Sequence, residues 1–267
     1  MPPIVRHTLS RYRLILLSIF VLGGLLIVGH YHYLLFHSLV EGFSILIAFG
    51  IFVIAWNSRS MLENDYLLFV GIAYLFVGGL DFLHTLSYQG MGVFPHYGPN
   101  LATELWIAAR YVESVSLLIA PLFLNRRLQQ EMTIAAYTLL MALLLMAIFR
   151  WNLFPNCFTE GVGLTPFKKI SEYAISGVFL FSAFLLMLKG KVFDPDVQAL
   201  LVASMLVSMA AELFFTLYTD VYGLFNQTGH LLKIISYYLI YRALIVTGIA
   251  RPHDVLFRDL QQNEAFL

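Results

Sequence analysis

The sequence has few charged residues. Of its 267 residues, 16 are Lys or Arg and 16 are Asp or Glu, which makes the charged fraction 12%. Soluble globular domains carry about 25%. Together with a hydrophobic fraction of 60%, this shortage excludes an ordinary soluble domain, a disordered chain and a nucleic-acid-binding protein. The composition indicates an integral membrane protein.

Cysteine and catalytic motifs are also scarce. Cys157 is the only cysteine, which excludes an intrachain disulfide and a cysteine-based zinc or iron–sulfur site. The chain has no H-E-x-x-H, no G-x-S-x-G and no phosphate-binding glycine loop, so nothing in the sequence indicates an enzyme. No small-residue cleavage site follows the first apolar run, and we expect that run to be retained as a span.

Long apolar runs are what the sequence has in abundance. A membrane-spanning helix needs about 20 mainly apolar residues, and these runs are continuous, unlike the alternating strands of a transmembrane barrel. The sequence therefore predicts an all-α integral membrane bundle of about eight transmembrane helices. The predicted spans are Leu14–Tyr31, His37–Trp56, Tyr66–Ser87, Leu101–Leu124, Met132–Phe149, Ile170–Leu188, Val197–Tyr218 and Gln227–Ile249.

Basic residues are distributed unevenly between the two sides of this bundle. They precede span one and follow spans two, four, six and eight, and Lys and Arg are typical of cytoplasmic loops. The exceptions are Arg150, Lys168 and Lys169, which all lie between spans five and six. The bias predicts a multi-pass membrane protein with both termini in the cytoplasm.

Ionisable residues recur at one depth within the spans. Such residues are costly in a membrane and indicate a functional site. With a rise of about 1.5 Å per residue, most of them fall in the outer half of the bundle. Spans one and five carry no charge, and we expect them to face lipid. We predict an outer-half ligand-binding cavity lined by Asp81, His84, Tyr88, Glu104, Arg110, Glu113, Glu212, His230, Lys233 and Tyr237.

A purely structural role is the alternative for these charges. Arg110 and Glu113 are three residues apart on one helix, and we expect them to form an ion pair that fixes packing. For the other ionisable residues a ligand-binding or proton-sensing site is favoured, because the energetic cost of placing a charge in the membrane is repeated at one depth. His37, Glu41 and Glu172 are placed at that depth too.

Two further functions stay open at this point. A metal-binding redox protein could hold haem iron or another metal ion with His84 and His230, or copper or zinc with His37, His84 and nearby carboxylates. Neither set has a diagnostic spacing. A small-molecule transporter is the third possibility, although no inverted repeat is visible.

Three segments carry a family resemblance. They are Asp81–Pro95 (DFLHTLSYQGMGVFP), Ala102–Ser114 (ATELWIAARYVES) and Gly229–Ala243 (GHLLKIISYYLIYRA). Together they resemble the third class of bacterial membrane-associated sensor (MASE-type) domains. The resemblance covers nearly the whole chain, and the three segments together are more specific than any one of them.

The resemblance implies a non-catalytic sensory module of the bacterial inner membrane that precedes a PAS domain, a diguanylate cyclase or a histidine kinase. It implies a membrane sensory domain over 1–250 and the start of a connecting helix over 251–267. We expect the signal to leave the bundle at Arg242 and Pro252. The implied partners are membrane lipid, an unidentified small-molecule or ion ligand, the fused output domain and, because such outputs act in pairs, a second copy of the chain.

Overall fold

The computed structural model describes residues 3–62, 64–189, 193–217 and 223–245, with side chains from residue 16 onward except at residue 18. The described residues form eight α-helices and one two-stranded antiparallel hairpin. The helices are α1 (Pro3–Tyr31), α2 (Tyr33–Asn57), α3 (Tyr66–Ser87), α4 (Pro99–Ile119), α5 (Gln130–Leu145), α6 (Pro166–Lys189), α7 (Pro195–Leu217) and α8 (Leu224–Ile245). The strands are β1 (Phe158–Thr159) and β2 (Gly163–Leu164).

This architecture confirms the all-α prediction. Each predicted span overlaps one helix, and span three coincides with α3. Helices α2 to α7 are long and apolar enough to cross a membrane, when α4 and α5 are taken with the short turns of 3-10 and π helix that continue them. Pro252, the segment 251–267 and the predicted ends of spans seven and eight lie outside the described residues. The cytoplasmic location of the termini stays a prediction.

Proline sets the start of three helices. α4, α6 and α7 begin at Pro99, Pro166 and Pro195, where the missing N–H of proline costs nothing and its fixed φ suits the first helical turn. The hydropathy pattern placed these starts two to four residues too late. For α6 the difference matters, because Lys168 lies in the helix and not in the preceding loop.

Six of the helices form a closed ring. α2 packs against α3, α3 against α4, α4 against α6, α6 against α7, α7 against α8, and α8 against α2. α1 lies against α2, and α5 lies against α3 on the outside of the ring. No residue of α5 is buried. Both helices therefore lie at the periphery of the ring, and that they face lipid stays a prediction.

One end of this ring, which we call the polar end, carries the ionisable residues. α2, α4, α6 and α8 begin there, and α3 and α7 end there. The loop after α3 turns at Gly90 and Gly92, whose φ values of 100° and 71° suit glycine. Asn100 Oδ1 accepts hydrogen bonds from the backbone N–H groups of Cys157 (2.8 Å) and Phe158 (2.9 Å), which fastens the hairpin to α4.

Small residues let α2 and α3 approach each other closely. Gly78 and Gly71 are seven residues apart on α3 and face Ala48 and Ala55, which are seven apart on α2. A Cβ placed on Gly71 would overlap the methyl group of Ala55, and one on Gly78 would lie 3.1 Å from that of Ala48. Close packing of small residues is a main source of helix association in membranes.

We expect Gly71→Ala to destabilise the bundle by about 1–3 kcal/mol, the usual cost of an extra methylene in a packed interior. The change improves helix propensity, so a loss of stability must come from the contact with Ala55. The measurement is the thermal unfolding midpoint in detergent. Gly42→Ala is the matched control, because a Cβ there meets nothing within 4 Å. Equal midpoints for both variants would contradict the close approach.

We also expect Cys157 to resist alkylation. Its side chain is fully buried, and burial raises the pKa of the Cys157 thiol to about 12. An ordinary cysteine thiol has a pKa of 9.0. Compared with such a thiol, the thiolate population of Cys157 near neutral pH is lower by about 1,000-fold. Iodoacetamide labelling followed by mass spectrometry should be slow until the pH approaches 12 or the protein unfolds. Rapid labelling of Cys157 at pH 8, at the rate of a cysteine introduced at exposed Thr159 in a Cys157→Ala background, would refute this.

Candidate functional site

Asp81 is the centre of a buried charge network at the polar end. Its carboxylate accepts two hydrogen bonds from Arg110 Nη2 of α4, at 2.7 and 2.8 Å. It also lies 2.9 Å from Lys233 Nζ and accepts a hydrogen bond of 3.0 Å from Tyr237 Oη, both on α8. Asp81 itself is fully buried on α3. One carboxylate therefore links three helices.

Glu41 joins α2 to the same network. Its Oε2 lies 2.6 Å from Lys233 Nζ, and its Oε1 lies 2.9 Å from Nδ1 of His230. Glu41 is fully buried, and Lys233 and His230 are each 3% exposed. Lys233 thus holds two carboxylates from two different helices, and α8 provides both of the partners of Glu41.

The Arg110–Glu113 ion pair forms as predicted. Arg110 Nη1 bonds to Glu113 Oε2, and Tyr74 Oη donates to Glu113 Oε1 at 2.6 Å. Arg110 Nη2 also lies 3.0 Å from Tyr237 Oη. The pair is therefore continuous with Asp81 and does not stand alone as a packing device.

Trp106 of α4 lies against both cations of the network. Its ring centroid is 4.7 Å from Lys233 Nζ and 4.8 Å from Arg110 Cζ. An aromatic face at this distance stabilises a desolvated cation by about 2 kcal/mol or more. Trp106 is 3% exposed, so it also excludes water from the two ion pairs.

Two histidines meet beside the network. Nε2 of His37 lies 3.3 Å from Nε2 of His84. Nδ1 of His84 lies 2.7 Å from the carbonyl oxygen of Ala102, and Tyr88 stacks on His37 with centroids 3.9 Å apart. His37, His84 and Glu41 are all buried, and one ligand atom from each lies within 4.8 Å of the others. These three side chains could hold a metal ion.

A second buried cluster lies between α6 and α7, and we call it the Lys168 cluster. Lys168 pairs with Glu172 one turn along α6 and donates a hydrogen bond of 3.2 Å to the carbonyl oxygen of Phe215. Glu212 of α7 interacts electrostatically with Glu172. Glu212 is buried and lies with this cluster, and it also interacts electrostatically with Arg110 of the network around Asp81.

Two other predicted residues lie apart from the network. Glu104 is buried in the first turns of α4, where Oε1 accepts a hydrogen bond of 2.7 Å from Asn100. Arg242 is exposed near the end of α8, and its Nη1 lies 3.4 Å from Tyr238 Oη on the same helix. A role of Arg242 in signal exit stays a prediction, and Pro252 lies outside the described residues.

A small cavity at the polar end borders both the charge network and the Lys168 cluster. Its volume is about 40 Å³, and its lining includes His84, His230, Lys168 and Trp106. A cavity needs about 10–15 Å³ by this measure to hold one water molecule. The space therefore suits a few water molecules or a small ion. Of the residues predicted to line an outer-half cavity, His84, Tyr88 and His230 line this one.

A haem group does not fit between His84 and His230. The Trp106 ring packs against both histidines, with centroids 5.3 Å from His84 and 5.4 Å from His230, and the His37 ring is 5.2 and 4.9 Å from the same two residues. A porphyrin would have to displace both rings. We therefore assign no haem group to this site.

The charges of the network do not cancel. Glu41, Asp81 and Glu113 are acidic, whereas Lys233 and Arg110 are basic, so the net charge is −1 when the three carboxyl groups are ionised and the histidines are neutral. Uncompensated charge is expensive in a low-dielectric interior. The arrangement therefore favours one further positive charge, such as a proton or a bound cation.

Several important residues were predicted at the right depth but outside the cavity. His37 and Glu41 are four residues apart at the depth of Asp81, but the sequence does not show which side of α2 points into the bundle. Tyr74 lies seven residues before Asp81, a spacing that places both on one helix face. Lys168 was assigned to a loop, although its spacing from Glu172 was a helical signal.

A family model agrees with this architecture. The model of the MASE3 membrane-associated sensor domain matches residues 28–252, which include every residue of the charge network and of the Lys168 cluster. No curated protein and no solved structure matches the chain. Since the match covers most of the chain, this multi-pass membrane protein belongs to the MASE3 family of membrane-associated sensor domains.

Proposed function

We propose that the chain is a non-catalytic signal-input domain, which detects a stimulus at the polar end and transmits it through α8 to a cytoplasmic output domain. A diguanylate cyclase or a histidine kinase is the output that we propose, in a homodimer at the bacterial inner membrane. The observation that carries the proposal is the position of Lys233. Lys233 forms ion pairs with Glu41 of α2 and with Asp81 of α3, so charge contacts hold α8 to both of these helices.

Attachment by charge makes α8 responsive to protons and ions. Lys233 and His230 have their acidic partners on other helices, and any change in the charge of Glu41 or Asp81 alters the energy of those contacts. A signal also requires two states of the bundle for which the stimulus has different affinities. A small shift of α8 relative to α2 would supply such states.

The test uses the full chain joined after residue 267 to a diguanylate cyclase domain, with cyclic-di-GMP as the readout. Lys233→Met makes the network more negative by one charge, and Asp81→Asn makes it less negative by one. We expect the two variants to shift basal output in opposite directions, each by about fivefold or more, the lower range of allosteric coupling. The double variant restores the net charge and should lie between them.

The control is Lys169→Met, which makes the same replacement at an exposed lysine and should leave output unchanged. Membrane insertion is compared by immunoblotting of membrane fractions. Wild-type output from both single variants at wild-type abundance would exclude the network as the site of signal input.

A further inference from the structure

We propose that His37, Glu41 and His84 form a binding site for a divalent transition-metal ion, and that this ion competes with Lys233 for the Glu41 carboxylate. The site deepens the proposed sensory function by naming the class of stimulus, and the link from metal to output rests on that function. Metal binding itself is independent of it.

The ligand atoms have the chemistry and spacing of such a site. Two imidazoles and one carboxylate, with a fourth position left to water, are a common set for zinc. The two Nε2 atoms are 3.3 Å apart, which is close to the edge of a tetrahedron with Zn–N bonds of about 2.05 Å. His37 and Glu41 are four residues apart on α2, so both face α3 and α8 from the same side of the helix.

The ring of His84 is held in a state that suits a metal ligand. The Ala102 carbonyl can only accept a hydrogen bond, so the contact of 2.7 Å places the proton of neutral His84 on Nδ1. The lone pair is then on Nε2, which faces His37. Metal-binding histidines commonly donate their other ring N–H to a carbonyl or carboxylate in this way.

Binding of Glu41 to a metal ion would change the contacts that its carboxylate makes with α8. Two atoms bound to one zinc ion can be at most about 4.2 Å apart, twice a bond of 2.1 Å, whereas the three ligand atoms lie within 4.8 Å of one another. The two imidazole nitrogens are already 3.3 Å apart, so any distance that has to shorten on closing the site is one to Glu41. Movement of this carboxylate toward the histidines weakens its contacts with Lys233 and with His230, and Lys233 retains Asp81 at 2.9 Å.

Charge and access also agree with a cation. The network has a net charge of −1 with neutral histidines, and a divalent ion changes this charge to +1. A hydroxide bound to the ion, or the loss of one proton from the site, would bring the net charge to zero. The cavity of about 40 Å³ reaches His84 from the polar end, and it is wide enough for an ion with few water molecules.

The test is titration of the purified, chelator-treated full chain with Zn²⁺ by isothermal titration calorimetry. We expect one ion per chain in the wild type and at least about 100-fold weaker binding in His37→Asn and in His84→Asn, since even the loss of a supporting residue commonly costs 10–100-fold. Asparagine is chosen because its amide can still donate from near the Nδ1 position. His96→Asn, at an exposed loop histidine, is the matched control and should bind as the wild type does.

A second variant tests the competition and protects the experiment against misfolding of the histidine variants. Lys233→Met keeps all three ligands and removes the competing ammonium group, so it should bind Zn²⁺ more tightly than the wild type. Absence of Zn²⁺ binding by the wild type, or unchanged binding by both histidine variants, would overturn the site. Weaker or equal binding by Lys233→Met would overturn the competition.

The two proposals fail separately. If Zn²⁺ binds as described but does not change output from the diguanylate cyclase fusion, the metal site stands and its role as stimulus is refuted. If Lys233→Met and Asp81→Asn change output in the presence of chelator while the wild type binds no Zn²⁺, the sensory function stands and the metal site is refuted.

Discussion

Charge buried within a membrane-spanning bundle has to be neutralised locally, and this requirement governs the polar end of the chain. The described helices bury six acidic residues there, Glu41, Asp81, Glu104, Glu113, Glu172 and Glu212, but only three basic ones, Arg110, Lys168 and Lys233. Each basic residue therefore serves at least one carboxylate, and Arg110 and Lys233 serve two. Removing one partner of such a pair leaves a buried charge without compensation, which is costly. The members of the network are consequently coupled, because a change in the charge or position of one alters the energy of its neighbours.

The closed ring of helices makes this arrangement possible. α2 and α3 approach closely where Gly71 and Gly78 face alanines, and α8 closes the ring by packing against α2. The polar stripe of α8 thereby faces acidic residues of α2 and α3 and is kept from lipid. α8 packs through ion pairs and polar contacts in addition to apolar packing, since its buried face includes His230, Lys233, Ser236 and Tyr237. Its position is therefore more sensitive to charge than that of α5, which has no buried residue at all.

Hydropathy predicted the eight helices, and span position predicted the depth of the ionisable residues, because both depend on the chain locally. The partners of those residues depend on how each helix is rotated and on which helices are neighbours. For this reason Glu212 was predicted to join Asp81, whereas it lies with Glu172 beside Lys168. Glu41 was placed at the correct depth, but its role as the link between α2 and α8 required the ring. Lys168 was missed because Pro166 begins α6 four residues before the apolar pattern does.

A carboxylate shared between a metal site and an ion pair couples ligand binding to helix position in both directions. If metal at His37 and His84 weakens the contact between Glu41 and Lys233, then any force that moves α8 away from α2 must strengthen metal binding by the same factor, because binding couplings are reciprocal. An output domain that favours one position of α8 would thus set the metal affinity at the opposite end of the helix. The size of this coupling cannot exceed the free energy that Glu41 loses on leaving Lys233. It is limited further by Asp81, which holds Lys233 in place in either state.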